Sequence, residues 1–184
     1  MFGKRNTKVN NMYTHKAEQH YFDLYYPSIQ SRITPNSTIL DIGCQNGRFT
    51  IPLANAGHSL TATDIDDQYF EFIKSNVDPD LQVEFYKEKI EKTISRAAED
   101  HYDCILCLEL LYTMKNTAEL VTGLRTLLKP GGLLVTSHRS LGYYIYRYIK
   151  ERNFKDLNKI LNDQHPAFNC QTPDQLETLY SNAG

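Results

Sequence analysis

The chain has 184 residues, with 20 lysines and arginines against 22 aspartates and glutamates, so its formal net charge is −2. This length is typical of one domain with a substantial core, and the balanced charge argues against a nucleic-acid-binding protein. No apolar run approaches the ~20 residues of a membrane span, and the polar, basic start of the chain lacks the apolar core of a secretion signal. We therefore expect a cytoplasmic protein whose four cysteines are free thiols.

The start of the chain predicts a flexible tail over residues 1–12 and a helical region over residues 13–35. Apolar side chains recur at the spacing of one helical stripe between Ala17 and Ile29. Proline interrupts the hydrogen bonding of a helix, so Pro27 should break or kink this helix near its end.

The rest of the chain is organised around a strand, a glycine turn and a helix. Residues 38–40 predict a short buried strand, with Asp41 at its carboxyl end and Gly43 and Gly47 in the turn that follows. Glycine accepts the positive φ of a tight turn, and the helix behind it offers free N–H groups and a positive dipole end. This pattern predicts the first unit of a nucleotide-binding α/β fold.

The run Asp-Ile-Gly-Cys-Gln-Asn-Gly, from Asp41 to Gly47, resembles the first motif of class I S-adenosylmethionine-dependent methyltransferases. Gln45 stands where these proteins usually have glycine. The dinucleotide-binding fingerprint is excluded, because it needs Gly-x-Gly-x-x-Gly. The resemblance extends over about Thr38 to Ser137. It implies a Rossmann-like three-layer α/β sandwich with a mostly parallel sheet, S-adenosylmethionine as the cofactor and a small-molecule acceptor.

The helices ahead of this motif cover the cofactor in the family and touch the substrate. The resemblance thus makes Tyr13, His20 and Tyr21 candidates for substrate contact. From the residues alone, the alternative is that these aromatic side chains pack on the sheet.

A second acid is expected beside the glycine turn. Residues 59–63 predict a short strand that delivers Asp64 to its carboxyl end. A carboxylate there can accept hydrogen bonds from the two hydroxyls of a ribose. The alternative is that Asp64 or Asp66 caps the following helix, predicted over 67–75.

The adenine end of the expected cofactor site departs from the family pattern. After a third strand at 81–86, Lys89 stands where most members carry an acid, whereas Ile90 could pack on the adenine ring and Glu88 could substitute for the acid. The resemblance assigns ten residues to the cofactor site: Asp41, Gly43, Cys44, Gln45, Gly47, Asp64, Ile65, Lys89, Ile90 and Leu108.

Residues 102–108 are nearly all apolar, as in a central strand buried on both faces. Cys104 and Cys107 lie three residues apart and should therefore point to opposite faces, so we expect core residues and no metal site. The segment after this strand resembles the family motif that borders the transferred methyl group. Glu109 and Tyr112 are its candidate catalytic groups. Glu109 could equally be a general base, a substrate ligand or a carboxylate that satisfies nearby backbone donors.

The run Leu-Lys-Pro-Gly-Gly at 128–132 is a hallmark of the family and predicts a helix end and a sharp turn into a fifth strand at 133–137. His138 and Arg139 follow that strand and should face the cleft, with His138 a third candidate catalytic group and Arg139 a substrate contact. Residues 141–172 include a tyrosine-rich helical stretch, and the resemblance implies that it is a substrate-side insertion with Tyr143 as a further substrate candidate. From the residues alone, it could equally be an amphipathic helix that packs on the core or a surface that meets another chain.

The predicted methyltransferase domain spans residues 36–184 and supplies five recognisable strands. Members of the family have seven strands, the last two forming an antiparallel hairpin that this chain does not show. The fifth strand would then be an exposed apolar edge, which is a liability for pairing or aggregation. We therefore expect the N-terminal part of a longer protein with further domains, or a homodimer.

The function implied by the resemblance is methyl transfer to oxygen or nitrogen of a small molecule, with a sugar-like or aromatic acceptor. This reaction mainly needs alignment and exclusion of water. The alternative is a degenerate domain that acts as a protein-interaction or regulatory module, which Gln45, Lys89 and the missing strands favour. A nucleic-acid methyltransferase and a nicotinamide-dependent oxidoreductase rank lower, because the charge and the glycine spacing do not fit them.

Overall fold

A computed structural model describes residues 16–165 and 168–184 of the chain. In these ranges five strands form one sheet in the order β3-β2-β1-β4-β5, and each neighbouring pair is parallel. The predicted Rossmann-like α/β fold is confirmed, with a described sheet that is parallel throughout. The strands are β1 (Thr38–Ile42), β2 (Ser59–Asp64), β3 (Val83–Lys87), β4 (Tyr102–Cys107) and β5 (Leu128–Thr136).

Helices connect consecutive strands, as parallel pairing requires. The described helices are α1 (Lys16–Gln30), α2 (Thr50–Asn55), α3 (Phe70–Asn76), α4 (Ile90–Arg96), α5 (Thr117–Leu127), α6 (Leu141–Lys150), α7 (Phe154–Leu161) and α8 (Pro173–Ala183).

The expected break at Pro27 is wrong, because α1 continues to Gln30. The carbonyl of Pro27 still accepts a hydrogen bond from the backbone N–H of Ser31 at 3.0 Å, so helical hydrogen bonding continues beyond the donor that proline lacks. Ile29, which is buried, anchors this last turn in the core.

Alternating side chains of the sheet build one core on each face. The first core joins Ile39, Cys104 and Leu106 to α1, α2 and α3, and the second joins Leu40, Ile105 and Cys107 to α4, α5 and α8. The result is the expected three-layer sandwich. Cys104 and Cys107 lie in different cores, since residues three apart on a strand face opposite sides.

The segment 128–132 differs from its prediction. The strand β5 begins at Leu128, directly after α5, and its pairing with β4 shifts register between Tyr102 and Cys104. The expected turn is therefore an irregularity within the strand. Gly131 has a φ of 77°, which explains the glycine at this point.

The helical insertion has a small core of its own. The helices α6 and α7 pack together around Tyr144, Tyr148 and Ile160, with Phe168 against them. A capping box between Thr172 and Gln175 begins α8. The helix α6 begins at Leu141, shortly after β5 ends at Thr136.

Candidate active site

A cavity of about 430 Å³ opens at the carboxyl ends of β1, β2, β3 and β4. In a parallel sheet these ends share one edge, where ligands bind in open α/β folds. Nine of the ten residues predicted for the cofactor line this cavity, and they are Asp41, Gly43, Cys44, Gln45, Asp64, Ile65, Lys89, Ile90 and Leu108.

The glycine turn is tied to β2 by its backbone. The N–H groups of Gly43 and Cys44 both donate to the carbonyl oxygen of Thr63, at 2.8 and 3.1 Å. Gly43 has a φ of 75°, and a Cβ built on it would meet only Leu110, at 3.8 Å. The turn therefore presents bare backbone to the cavity.

Gly47, the tenth predicted residue, does not line the cavity. It has a φ of 78°, and a Cβ at this position would lie 2.7 Å from Cγ1 of Ile73 and 3.0 Å from Cγ1 of Ile51. Close packing between α2 and α3 thus requires this glycine. Among the described residues, Gly47 thus serves the packing of the helices and not the lining of the cavity.

Asp41 is buried at the cavity wall, with 4% of its surface exposed. Its carboxylate accepts a hydrogen bond from the hydroxyl of Thr50. Burial raises the pKa of Asp41 to about 6, and the nearby charge of Asp64 adds to this rise. A cation bound in the cavity would favour the ionised form of Asp41.

Both carboxylate oxygens of Asp64 are oriented by backbone donors. Oδ2 accepts from the N–H of Gln45 at 2.9 Å, and Oδ1 accepts from the N–H of Asp66 at 3.0 Å. Each carboxylate oxygen has two lone pairs, so both oxygens keep acceptor capacity for a diol. The alternative role as a helix cap is wrong, because α3 begins after Tyr69 without a side-chain cap.

At the adenine end of the expected site, Glu88 is already engaged. Its side chain is 2% exposed and forms an ion pair with Arg96 at 2.9 Å, and Thr93 donates to it at 3.1 Å. Glu88 is thus poorly placed to replace the missing acid. Ile65 and Ile90 supply apolar wall on this side of the cavity.

Glu109 enters the cavity from the end of β4 in a left-handed conformation, with a φ of 55°. Its Oε2 accepts from the hydroxyl of Tyr112 at 2.9 Å and from Nη2 of Arg139 at 3.1 Å. Its Oε1 accepts from the hydroxyl of Ser137 at 3.0 Å. Non-glycine residues with positive φ concentrate at functional sites.

Sequence reasoning missed Ser137. The hydroxyl oxygen of Ser137 accepts the backbone N–H of Glu109 at 2.6 Å, in addition to donating to its carboxylate. The available signal was the position of Ser137 directly after β5, at the same edge of the sheet.

Tyr21 brings the N-terminal helix to the site. It lines the cavity, packs edge-on against Phe49 with ring centroids 6.3 Å apart, and has the guanidinium of Arg48 5.7 Å from its ring. Tyr26, one turn further along α1, donates to the carbonyl of Pro52 at 3.3 Å. The helix α1 is therefore fastened to α2 while Tyr21 covers the cavity.

Other predicted site residues lie elsewhere. The ring of His138 bonds to the hydroxyl of Tyr180 at 2.7 Å, which in turn bonds to Thr136 at 2.6 Å, and burial lowers the pKa of His138. His138 therefore does not reach the cavity, and neither does the exposed His20. Tyr13 lies outside the described residues.

Comparison with known proteins defines the family. The family model for a methyltransferase domain matches residues 13–184, so the chain belongs to this family and the resemblance is confirmed. The chain is 25% identical over 150 residues to the ubiquinone biosynthesis O-methyltransferase of Hydrogenovibrio crunogenus, a match that covers 81% of the chain and 62% of the relative. It is 28% identical over 121 residues to the enzyme of the same name from Rickettsia typhi, covering 60% of the chain and 45% of the relative.

The fold has close counterparts among solved structures. A SAM-dependent methyltransferase from Methanosarcina mazei superposes with a TM-score of 0.67 at 21% identity, covering 86% of this chain and 84% of that one. The chain spans 62% or less of the length of the two curated relatives above.

In the described ranges, none of the helices has the length and apolar character of a membrane span.

Proposed function

We propose that the protein is an S-adenosylmethionine-dependent methyltransferase that methylates oxygen or nitrogen of a small-molecule acceptor. The observation that carries the proposal is that one cavity collects a buried acid, Asp41, the bare backbone of Gly43 and the oriented carboxylate of Asp64. The names of the curated relatives favour oxygen as the acceptor atom.

The lining residues fit the parts of this cofactor. Asp64 offers two oriented oxygens to the ribose hydroxyls, and Asp41 offers a buried negative charge to a cationic methionine portion. Ile65 and Ile90 offer apolar surface to the adenine ring. When bound, the cofactor supplies an electrophilic methyl group on a sulfonium.

The remaining residues of the site then serve alignment and exclusion of water. Tyr21 and Phe49 cover the cavity on the side of α1. Glu109 has about four lone-pair positions, of which donors from Tyr112, Ser137 and Arg139 occupy three. The fourth is available to a hydroxyl or amine of the acceptor, so Glu109 acts as an acceptor-positioning group.

The alternative of a degenerate interaction module rested in part on Gln45 in place of glycine. Gln45 adopts a φ of 43°, and its N–H still holds Asp64. The turn therefore keeps the shape that the motif requires. This favours cofactor binding over a degenerate domain.

Calorimetric titration with S-adenosylmethionine and S-adenosylhomocysteine tests the proposal. We expect micromolar binding that weakens at least ~30-fold in Asp64→Asn, because two charge-assisted hydrogen bonds are lost. Asp66→Asn is the matched control, since the carboxylate of Asp66 bonds to Gln68 instead. A folded chain that binds neither compound supports the interaction module.

A further inference from the structure

Arg139 is held in a fixed place beside the candidate active site. Its guanidinium carbon lies 4.3 Å from the ring centroid of Tyr112 and 5.0 Å from that of Tyr143, and its side chain is 26% exposed. One of its nitrogens, Nη2, donates to Glu109 at 3.1 Å. A cation between two aromatic rings and one carboxylate loses most of its rotational freedom.

The partner of Arg139 is itself held. Glu109 accepts from Tyr112 at 2.9 Å and from Ser137 at 3.0 Å, so its orientation does not depend on Arg139 alone. Burial lowers the pKa of Arg139, but the neighbouring Tyr112 and the hydrogen bond to Glu109 outweigh it, so the pKa is raised. The guanidinium is therefore a permanent, oriented positive charge next to Glu109, which lines the cavity.

The contact between Arg139 and Glu109 leaves most of the guanidinium available. A guanidinium carries five N–H donors in a planar fork, and full pairing with a carboxylate uses two parallel bonds. Among the described residues, Arg139 makes one hydrogen bond to Glu109, through one nitrogen and one oxygen. This single hydrogen bond anchors the guanidinium and leaves its other N–H donors for a ligand.

We propose that Arg139 binds a carboxylate group of an aromatic methyl acceptor, beside the rings of Tyr112 and Tyr143. A carboxylate is planar and matches the fork of the guanidinium. Leu110 and Met114, in the wall of the cavity, give the aromatic body of the acceptor an apolar surface. The hydroxyl or amine to be methylated then lies towards Glu109. This inference rests on the proposed function and names the class of its acceptor.

A carboxylate fits better than a phosphate at this position. Glu109 lies within 3.1 Å of Arg139, and a dianionic phosphate would meet stronger repulsion from it than a singly charged group. The tyrosine rings favour an acceptor with a flat apolar body over a sugar phosphate.

Binding of para-hydroxyphenylacetate and its amide, para-hydroxyphenylacetamide, tests the inference. The two probes have nearly the same shape and differ in charge. We expect the acid to bind at least ~10-fold more tightly than the amide in NMR titrations of the chain with and without S-adenosylhomocysteine, because bidentate charged pairing is lost with the amide. Arg139→Gln should abolish this preference, and Arg139→Lys should restore part of it.

Lys150→Gln is the matched control. It removes one positive charge at the end of α6, the helix that begins just after Arg139, and the ammonium group of Lys150 lies 5.8 Å from the ring centroid of Tyr146. The preference for the acid should persist in this variant. Its loss there would overturn a specific role for Arg139.

Other results would also overturn the inference. These are equal binding of acid and amide, binding of neither probe, a preference unchanged in Arg139→Gln, and tighter binding of phenyl phosphate than of the acid. The titration without S-adenosylhomocysteine measures binding of the probes independently of cofactor binding. A failure of the proposed function, seen as no cofactor binding, is therefore distinguished from a failure of this inference.

Discussion

The backbone N–H of Gln45 donates a hydrogen bond of 2.9 Å to Oδ2 of Asp64. The turn after β1 thus orients the carboxylate that ends β2, and the two halves of the candidate cofactor site form one unit. Since the donor belongs to the backbone, the bond does not depend on the side chain at position 45. This explains how the chain departs from the usual glycine and keeps the geometry.

Gln45→Gly should stabilise the protein. The substitution relieves about 1–2 kcal/mol of left-handed backbone strain and costs about 0.5–1 kcal/mol of chain entropy, so we expect a net gain of about 0.5–1 kcal/mol in the free energy of unfolding. Urea denaturation measures it. Asn36→Gly is the control, because asparagine tolerates its φ of 59° better and the gain should be smaller. A less stable Gln45→Gly variant would contradict the argument.

Asp41 should make the stability of the protein depend on pH. Burial raises its pKa from 3.8 to about 6, so the folded protein holds the proton more tightly than the unfolded chain. The corresponding stability is fully present below pH 3.8 and is lost as the pH rises through 6. The loss is about 3 kcal/mol for a shift of two pKa units. Asp41→Asn should remove this slope, so its advantage over the wild type grows from pH 4 to pH 7 in urea denaturation. A constant difference between the two proteins would contradict it.

The affinity for the cofactor should also depend on pH through Asp41, but it should increase with pH, whereas the stability decreases. The ammonium group in the methionine portion of the cofactor favours the ionised form of Asp41, whose pKa is about 6 in the free protein. We expect the dissociation constant of S-adenosylhomocysteine to rise about tenfold per pH unit below 6, and to be nearly flat above it. Asp41→Asn should bind weakly at every pH. Calorimetry between pH 5 and 8 checks both curves, and a wild-type affinity that is unchanged at pH 5 would refute the role of Asp41.

Substitution of the two glycines of the motif should have different effects, on stability at Gly47 and on cofactor binding at Gly43. In Gly47→Ala the new Cβ would lie 2.7 Å from Ile73, so we expect a loss of about 2–4 kcal/mol of stability from strain and overpacking. In Gly43→Ala the nearest atom is 3.8 Å away, so only about 1–2 kcal/mol of strain is expected. Gly43→Ala should nevertheless weaken cofactor binding more, because its methyl group enters the cavity. Equal effects on stability and affinity in both variants would show that this division of roles is wrong.

Ser137→Ala should impair the acceptor step and spare the cofactor. The variant leaves the N–H of Glu109 without its acceptor and removes one of the three donors that orient the carboxylate, so we expect about a tenfold loss in kcat/KM for a methyl acceptor. The dissociation constant of S-adenosylhomocysteine should stay within about twofold, because Ser137 lies across the site from Asp64. Ser137→Thr keeps the hydroxyl and serves as the control. Weaker cofactor binding in Ser137→Ala would refute this separation.

The sequence predicted well those parts of the fold and site that local chemistry determines. The sheet is confirmed, and Asp41, Gly43 and Asp64 meet in one cavity, because Asp41 and Asp64 lie at the carboxyl ends of β1 and β2 and Gly43 directly follows β1. In a parallel sheet all such positions share one edge, so no long-range information was needed.

Residues after β5 could not be assigned in this way. Ser137 and His138 are neighbours, yet Ser137 contacts Glu109 while His138 contacts Tyr180 on α8. Which of the two contacts Glu109 depends on the register of β5, and that register shifts along β4 in a way that only tertiary contacts determine. The role of Gly47 was hidden for the same reason, since its packing partner Ile73 is distant in sequence.

The placement of the cysteines on the two faces of the sheet has a practical consequence. Cys44, Cys104 and Cys107 are each at most 5% exposed, and burial raises the pKa of all three thiols. Cys170, beside the helical insertion, is less deeply buried. A thiol-specific dye should therefore label the native protein at Cys170 first. A fluorophore attached to Cys170 would report on movements of the insertion. The slower labelling of the other three cysteines would measure the rate at which the buried core around the sheet opens.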